Sequence, residues 1–567
     1  MTTVVPGGSS RPVRVGAAVA SSAPRWPLLL SLAVAALVVT PVTSLALIAA
    51  SGDGQDWPHL MRNVLPGSAA TTLLLLVLVA IGTSTIGVVS AWLVVAFDFP
   101  LRRTMSWALV LPFAVPPYLA AYAFAEFFHY AGPVQSALRA VFGFASPRDY
   151  WFPDIRSTGG AAVVLSAVLY TYVYLTTRVV FILQGRNIAD VARTLGAGPA
   201  RVFFSVLLPV AKPAIAAGVL LVLMETLNDI GASEYLGVRT LTFSVYSTWL
   251  NRGSLEGAAQ IALVMLVLVV ALVVAERHVR RRQRFHSMRA TQVKVRPPRV
   301  RLKGWRAALA LTAVSLPVLA GFGIPLYVFG RYASRRLDQF AEPALGSALV
   351  NTIGTALAAS VLTVTVALFL TFAARSMRSQ AVAAAVRVAS TGYALPGTIL
   401  ALGLLHALAA LDNLVDAFAR DVFGVSTGLL LSGSAAAVIL ACTIRFLALA
   451  ESSLRSGIEK LPPNLDEAAR ILGRTPAGAT LSVVLPLMGP ALFAAGVLVF
   501  VDTVKELSAT ILLRPFGFNT LATYVYENAS RGVVEDGAIA ALAIVLTSLV
   551  PVVLLSRALV GDREASL

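Results

Sequence analysis

The chain has 567 residues, of which 57% are hydrophobic and 13% are charged, and its mean hydropathy is +0.80. About a quarter of the residues of a soluble domain are charged, so this composition excludes a water-soluble protein. The formal net charge of +17 does not indicate nucleic-acid binding, because the arginines crowd the polar connections between apolar runs, where they set membrane topology. The single cysteine, Cys442, cannot form an internal disulfide.

Twelve apolar runs are long enough to cross a bilayer, for which about 20 residues suffice. Backbone polar groups must be satisfied within the membrane, so spans of this length are helices, and the sequence predicts an all-α polytopic membrane protein. Gly and Pro in "LPFAVPPYLA" and "YALPGTILALG" are expected to permit bends in two of the spans. The spans are predicted at 27–50, 67–96, 105–127, 160–183, 213–236 and 257–275, and at 307–330, 345–374, 381–410, 429–453, 490–513 and 537–557.

The connections divide the chain into two tandem six-span repeats, 27–276 and 307–558. Residues 277–306 form a basic linker, whose double proline argues against one continuous helix. Residues 1–26 and 559–567 are predicted to be cytoplasmic tails. The first apolar run is longer than the core of a cleavable signal, which has about 7–15 residues, so we expect an uncleaved first span with its basic flank in the cytoplasm.

A polar stretch between the fourth and fifth spans occurs in both repeats. "NIADVARTLGAGPARVFFSVLLPVAKP" (187–213) and "NLDEAARILGRTPAGATLSVVLPLMGP" (464–490) agree at about 12 of 27 positions with a constant offset. Such spacing indicates an internal duplication. Each repeat has an even number of spans, so the two are expected to share one orientation about an axis along the membrane normal. Both stretches are then predicted to face the cytoplasm.

The second copy carries Glu467, Ala468 and Ala469, then Gly473, then Leu485-Pro486, a pattern that resembles the signature loop of the permease subunits of bacterial ATP-binding-cassette (ABC) importers. The first copy has "DVA" in place of "EAA", which keeps an acid. The resemblance covers nearly the whole chain as two fused permease units, and it implies the type I ABC importer permease fold.

The same resemblance implies that each loop, 184–212 and 456–489, is a coupling segment that docks into a cytoplasmic ATPase. The residues expected to couple are Asp190, Ala192, Gly196, Pro199, Leu208 and Pro209 in the first copy, and Glu467, Ala468, Ala469, Gly473, Pro476, Leu485 and Pro486 in the second.

The sequence contains no G-x-x-x-x-G-K-[ST] phosphate loop, and none of its lysines follows a glycine. We therefore predict that the chain is not an enzyme and binds no cofactor of its own, and that two copies of a separate ATPase subunit bind ATP and Mg. No large external domain is evident to capture solute, so a separate extracytoplasmic binding protein is expected. The lipid bilayer is an expected partner, and nucleic acid is not.

Ionisable residues within spans are costly and usually face a cavity or a partner. In each fifth span two acids are spaced i, i+4 and are predicted to share a helix face. The duplication places the two faces across a pseudo-twofold axis, so the four acids are expected to line one substrate pathway. The predicted pathway residues are Glu225, Asn228, Asp229, Asp502, Lys505 and Glu506.

Two interpretations of these acids stay open. Carboxylate oxygens are hard ligands that suit hard cations, so the four acids are candidates for an otherwise unknown metal-ligand set. Tyrosine-rich segments at 170–174 and 524–526 would add phenol oxygens. Alternatively, the acids are hydrogen-bonded, or paired with Lys505 and Arg445, and hold helices together.

Two segments resemble ferric-iron importer permeases: "KELSATILLRPFGFNTLATYVYENAS" (505–530) and "ETLNDIGASEYLGVRTLTFSVYSTW" (225–249). This resemblance implies uptake of Fe(III) from a periplasmic or lipid-tethered binding protein, by alternating access, across the bacterial inner membrane. Related permeases carry phosphonates, thiamine, sulfate or polyamines. An ion-coupled secondary transporter, which needs no ATPase, is the alternative from another class.

Overall fold

The computed structural model describes residues 26–52, 54, 56–183, 198–284, 299–377, 379–462 and 465–560. Within these residues, ten helices are long and apolar enough to cross a membrane, or twelve spans if two strongly bent helix pairs each count as one. The prediction of an all-α polytopic membrane protein with about twelve spans is confirmed. The predicted tails up to residue 25 and from 561, and linker residues 285–298, lie outside the described part.

The two repeats have matching helices. The first repeat contains α1 (Trp26–Ser51), α2 (Asp56–Ala96), α3 (Arg102–Ala108), α4 (Pro117–Phe128), α5 (Pro133–Phe142), α6 (Thr158–Leu183), α7 (Phe203–Asn228), α8 (Gly231–Tyr235), α9 (Leu241–Leu250) and α10 (Leu255–Arg284). The second contains α11 (Trp305–Arg335), α12 (Pro343–Met377), α13 (Gln380–Ala389), α14 (Gly397–Phe423), α15 (Ala435–Ile458), α16 (Leu465–Ile471), α17 (Pro476–Ala479), α18 (Thr480–Leu487), α19 (Gly489–Val504), α20 (Thr510–Leu513), α21 (Leu521–Ser530) and α22 (Ala538–Val560).

Successive spans run in opposite directions, which defines two faces of the molecule. The Gly473 face carries the turn after α16 and the far ends of α10 and α15. The Gly424 face carries the turn after α14 and the short helices α8, α9, α20 and α21.

The third and ninth spans are broken where the sequence predicts bends. Val115 and Leu395 have extended backbones and directly precede Pro116 and Pro396. The proline ring disfavours a helical conformation in the residue before it, so both helices stop there. In the first repeat the segments on either side of the break differ in direction by 98°. The two breaks place short, non-helical backbone inside the molecule.

The helices of the fifth spans end earlier than predicted, and the prediction of continuous helices over 213–236 and 490–513 is wrong. α7 ends at Asn228, where Asp229 is extended (φ −81°, ψ 112°), and α19 ends at Val504. The reason is local competition for backbone donors. The Asp229 carboxylate accepts a hydrogen bond from the Ala232 N–H, and the Glu506 carboxylate accepts from the Ala509 N–H. Asp229 and Glu506 therefore lie beyond their helices and share no helix face with Glu225 and Asp502.

The first span of each repeat packs against the other repeat. α1 crosses α14 so closely that a Cβ on Gly403 would lie 2.0 Å from the Pro41 carbonyl oxygen. α11 makes the equivalent approach to α6, since a Cβ on Gly321 would lie 2.0 Å from the Ala167 carbonyl oxygen. Val38 accordingly belongs to the hydrophobic core of the second repeat. Neither repeat completes its core without a helix from its partner.

The end of the linker is fixed to the first repeat. β1 (Phe97–Asp98) and β2 (Val300–Arg301) form a two-residue parallel bridge, and the Leu302 N–H donates to the Asp98 carbonyl oxygen at 2.9 Å. α10 continues to Arg284, past the predicted end of the sixth span at 275.

The Gly403 contact predicts a loss of stability on adding one methyl group. Gly403→Ala forces α1 and α14 apart and should destabilise the protein by about 1–3 kcal/mol, as overpacking does. The measurement is the thermal unfolding midpoint in detergent.

The control is Gly354→Ala in α12, where a Cβ meets nothing within 4 Å. This variant should be as stable as the native protein or up to about 1 kcal/mol more stable, because Ala favours helix over Gly. Equal midpoints for the two variants would contradict the crossing of α1 onto α14.

Candidate functional site

A cavity of about 770 Å³ lies between the two repeats. Arg277 and Arg455, which are exposed near the far ends of α10 and α15, line its mouth at the Gly473 face. Towards the Gly424 face the cavity is closed by tight packing. A Cβ on Gly231 would lie 2.6 Å from the Tyr118 Cβ and 2.9 Å from the Leu507 Cδ2. The cavity is therefore a one-sided passage.

All six predicted pathway residues line this cavity, although they come from different repeats. They lie along its walls rather than around one point. Among the described residues, no group of three or more His, Cys, Asp or Glu side chains is arranged to hold a metal ion. The residues brought together are Glu225, Asn228, Asp229, Asp502, Lys505 and Glu506.

Glu506 is held by an ion pair and by backbone donors. Arg445 on α15 approaches its carboxylate at 2.6 Å, and the two side chains are 10% and 2% exposed. The same carboxylate accepts from the N–H groups of Ala509 and Thr510 and from the Thr510 hydroxyl. A buried charge needs such compensation. For Glu506 the structure therefore shows the pairing that the sequence left open as an alternative.

Asp502 and Lys505 form a second pair on the cavity wall. Their closest atoms are 2.7 Å apart, and the side chains are 22% and 25% exposed. The Lys505 ammonium also lies 5.1 Å from the centre of the Phe113 ring, which belongs to the other repeat. A cation over an aromatic face is attracted by the ring quadrupole. Lys505 thus bridges the repeats while it neutralises Asp502.

The first-repeat acids have no such cations. Glu225 accepts from the Tyr393 hydroxyl at 3.0 Å, and Asp229 accepts from the Ala232 N–H at 2.9 Å. Neither forms a salt bridge with any residue that the structure describes. The positions equivalent to Arg445 and Lys505, at the repeat offset of 277, are Val168 and Asn228. Apart from Glu276, Arg277 and Arg455 at its mouth, the cavity is lined by four acids and two bases, which carry a formal charge of −2.

Asn228 ties together three segments. Its side-chain oxygen accepts from the Gly397 N–H at 2.7 Å, and its carbonyl oxygen accepts from the Ser508 hydroxyl at 2.9 Å. Gly397 opens α14 and Ser508 follows α19, so one residue of the first repeat holds two elements of the second. Asn228 therefore positions the start of α14 and the segment after α19 against the first repeat.

Of the aromatic residues of the cavity, the sequence had indicated only Tyr172, in the tyrosine-rich segment 170–174. Phe113 and Tyr393 occupy equivalent places in the broken third and ninth spans, and each reaches a charged residue of the opposite repeat. Tyr118 and Tyr172 also line the cavity. The sequence does contain a signal that could have identified Phe113 and Tyr393. Each lies three residues before the proline that breaks its span, in "LPFAVPP" and "YALPG", and the break turns the aromatic ring towards the interior.

The structure describes the second signature loop more fully than the first. Asp190, Ala192 and Gly196 lie outside the described residues, and Pro199 opens a helical turn before α7, which includes Leu208 and Pro209. In the second loop Glu467, Ala468 and Ala469 lie in α16, Pro476 opens α17, and Leu485 and Pro486 lie in α18.

Gly473 ends α16 with a left-handed backbone (φ +85°), and a Cβ there would meet nothing within 4 Å. Beside it, Ile471 and Leu472 are 86% and 83% exposed. Two apolar side chains projecting from a polar turn are typical of a surface that a partner covers. Ala468 is also exposed, whereas Ala469 is buried.

Known proteins resemble this chain along much of its length. Residues 83–285 match the family described as "Binding-protein-dependent transport system inner membrane component". The chain is 24% identical over 498 residues to the Fe(3+)-transport system permease protein FbpB 2 of Haemophilus influenzae, covering 86% of this chain and 89% of that protein.

Two further relatives match a smaller part of the chain. The molybdenum transport system permease protein ModB of Escherichia coli is 29% identical over 200 residues, which cover 34% of this chain and 82% of ModB. The putative 2-aminoethylphosphonate transport system permease protein PhnU of Salmonella paratyphi A is 27% identical over 257 residues, covering 44% of this chain and 88% of PhnU.

The Arg445–Glu506 pair predicts an asymmetric response to mutation. Arg445→Met leaves a buried carboxylate without its cation and should destabilise the protein by about 3–5 kcal/mol. Arg445→Met with Glu506→Gln should recover part of this loss, because the amide oxygen still accepts from Ala509 and Thr510 but carries no charge. Thermal unfolding in detergent measures both.

Lys505→Met is the matched control, since it breaks a partly exposed pair on the same cavity wall and should cost less. A double variant that is no more stable than Arg445→Met would show that the uncompensated charge is not the cause.

Proposed function

We propose that the chain is a permease subunit of a binding-protein-dependent ABC importer with the type I fold, and that it moves ferric iron into the cytoplasm of a bacterium. The observation that carries this proposal is the inner cavity, deeper than Glu276, Arg277 and Arg455 at its mouth, where four carboxylates outnumber two bases. An excess of carboxylates in a cavity walled by protein attracts cations and repels oxyanions such as molybdate or a phosphonate.

The two-repeat form of the chain also favours this cargo. The relative named for Fe(3+) transport aligns with both repeats, whereas the molybdenum and phosphonate permeases are shorter proteins that align over 82% and 88% of their own length with one repeat's worth of this chain. A cargo site built where two repeats meet draws on residues from both.

The Gly473 face is assigned to the cytoplasm in this proposal. Two ATPase subunits, which bind ATP and Mg, dock one on each signature loop. On the second loop, Ile471 and Leu472 present the exposed apolar contact, and Gly473 allows the ATPase to approach the turn closely. Both termini then lie in the cytoplasm, and a periplasmic or lipid-tethered iron-binding protein docks on the Gly424 face.

The transport cycle follows from the one-sided cavity. In the structure the cavity reaches the Gly473 face. With that face in the cytoplasm, as proposed, this is the state in which cargo is released. ATP binding draws the ATPases together, rocks the repeats through their loops, and opens the Gly424 face to the docked binding protein. Because the acids are already engaged by Arg445, Lys505, Tyr393 and backbone donors, the cavity holds a cation weakly and lets it leave.

ATPase docking at the second loop predicts the effect of one charged side chain. Gly473→Asp places a carboxylate on the docking surface and should abolish uptake of radiolabelled Fe(III) by cells that contain the partner proteins. Asp tolerates the left-handed backbone better than most residues, so the variant should still fold.

Gly424→Asp is the matched control, because Gly424 has the same left-handed backbone (φ +68°) and the same empty surroundings on the opposite face. Gly424 lies on the face assigned to the binding protein, so the comparison is copurification of the ATPase: at equal abundance in the membrane, Gly424→Asp should copurify with the ATPase and Gly473→Asp should not. Absence of iron uptake by the native chain with its partners present would overturn the ferric assignment, and equal ATPase copurification by the two variants would remove the evidence for docking at Gly473.

The cavity charge predicts the effect of neutral isosteres. Asp229→Asn and Glu506→Gln keep an oxygen that accepts the backbone hydrogen bonds and remove the negative charge. Each should lower Fe(III) uptake by about tenfold, the change that about 1.4 kcal/mol of lost attraction produces. Glu506→Gln also leaves Arg445 without its partner, so uptake is compared at equal abundance in the membrane. Copurification of the ATPase should be unchanged.

Asp412→Asn provides the control for these isosteres. Asp412 is a buried acid that accepts from the N–H groups of Leu431 and Ser432, away from the cavity. Its variant should transport normally, and unchanged uptake by Asp229→Asn and Glu506→Gln would sink the proposal of an acidic pathway.

A further inference from the structure

Three oxygen-bearing side chains from the two repeats meet beyond the closed end of the cavity. The Tyr526 hydroxyl, on α21, donates to the Glu234 carboxylate, on α8, at 2.7 Å. The Tyr526 and Tyr246 hydroxyl oxygens are 3.1 Å apart. Tyr526 is buried, and Glu234 and Tyr246 are half-buried. We call these three residues the seam cluster.

The seam cluster joins short helices of the Gly424 face, since Glu234 lies in α8, Tyr246 in α9 and Tyr526 in α21. Glu234 comes five positions after Asp229, which lies on the cavity wall. Glu234 and Tyr246 belong to the first repeat, and Tyr526 belongs to the second. Any motion that opens the Gly424 face between the repeats must separate Tyr526 from its two partners.

The spacing of these oxygens matches neighbouring corners of a coordination octahedron. A small hard cation with metal–oxygen bonds of about 2.0–2.1 Å needs ligand oxygens about 2.9 Å apart. The two hydrogen-bonded oxygen–oxygen distances, 2.7 and 3.1 Å, lie on either side of that value. The hydrogen-bonded cluster therefore needs little rearrangement to become a set of ligands.

We propose that Glu234, Tyr246 and Tyr526 form a transient ferric-ion site at the seam between the repeats, which takes the cargo before it enters the cavity. This inference rests on the proposed function. The charges favour a trivalent ion, because one carboxylate and two phenolates neutralise three positive charges. The two phenol protons leave to water when the ion binds. A neutral complex avoids the cost of burying net charge, whereas a divalent ion would leave one negative charge uncompensated.

The position of the site links cargo to closure of the Gly424 face. Its ligands come from both repeats, so they surround the ion only when that face closes. Closure is then more favourable with the ion present than without it, which is the differential interaction that a conformational change requires. Without cargo, the Tyr526–Glu234 and Tyr246–Tyr526 hydrogen bonds hold the same surfaces together.

Other tyrosines of the tyrosine-rich segments are engaged elsewhere. Tyr170 and Tyr174 donate to the carbonyl oxygens of Leu109 and Ser106 in the core of the first repeat. Tyr524, two residues before Tyr526 on the same helix, donates to Glu342 at 3.1 Å. Tyr524 therefore offers a matched control on α21 that does not touch the seam cluster.

The test is the visible absorption of the purified full-length chain in detergent with ferric citrate, since phenolate bound to Fe(III) gives a charge-transfer band. The native chain should show the band. Tyr246→Phe and Tyr526→Phe should each reduce it by about half, because each removes one of the two phenolates, and the double variant should abolish it. Tyr524→Phe should leave it unchanged.

Several outcomes would overturn the site. They are no band in the native chain, a band that survives the double variant, or a band that Tyr524→Phe reduces as strongly as Tyr526→Phe. The measurement needs no ATPase and no binding protein, so it is independent of uptake. Iron uptake by cells in the absence of the band would discard the seam site and leave the proposed function standing.

Discussion

The architecture depends on two acids that stop two helices. Asp229 and Glu506 direct their carboxylates at the backbone N–H groups three or four residues further along the chain. A carboxylate that accepts from the backbone in this way offers the chain an alternative to continuing the helix. Each fifth span therefore ends inside the molecule rather than at the membrane surface. The space opened by the two endings is the cavity, and the short helices that follow build its closed end.

The duplication has preserved this backbone plan and changed its charges. Both repeats have a broken third span, an acid after the fifth span, and a first span that packs on the partner repeat. Only the second repeat carries Arg445 and Lys505, where the first has Val168 and Asn228. As a result, the acids on the second-repeat wall of the cavity are paired with cations, and the described acids on the first-repeat wall are not. An asymmetric passage is natural for one chain that carries both repeats, because each repeat is free to change its own side chains.

The sequence predicted the features that depend on local chemistry. Apolar run length located the spans, and Pro116 and Pro396 located the breaks, because a proline acts on the residue directly before it. The ends of the fifth spans were predicted wrongly, since the apolar run continues past Asp229 and only the capping contact with Ala232 stops the helix. The contact of Phe113 with Lys505 was equally out of reach, because nothing in a single sequence states which ring faces which cation.

The crossing of α1 onto the second repeat has a consequence for how the protein is made. Pro41 leaves the ribosome about 360 residues before Gly403, the residue it packs against. At about 5–20 residues per second, the first span waits roughly 20–70 s in the bilayer before its partner exists. The outward surface of α1 is apolar and is therefore stable in lipid during this interval. Leu29, Leu30 and Leu47 stay exposed on it even in the complete fold. Assembly of the second repeat therefore completes the first, and the order of synthesis becomes part of the folding route.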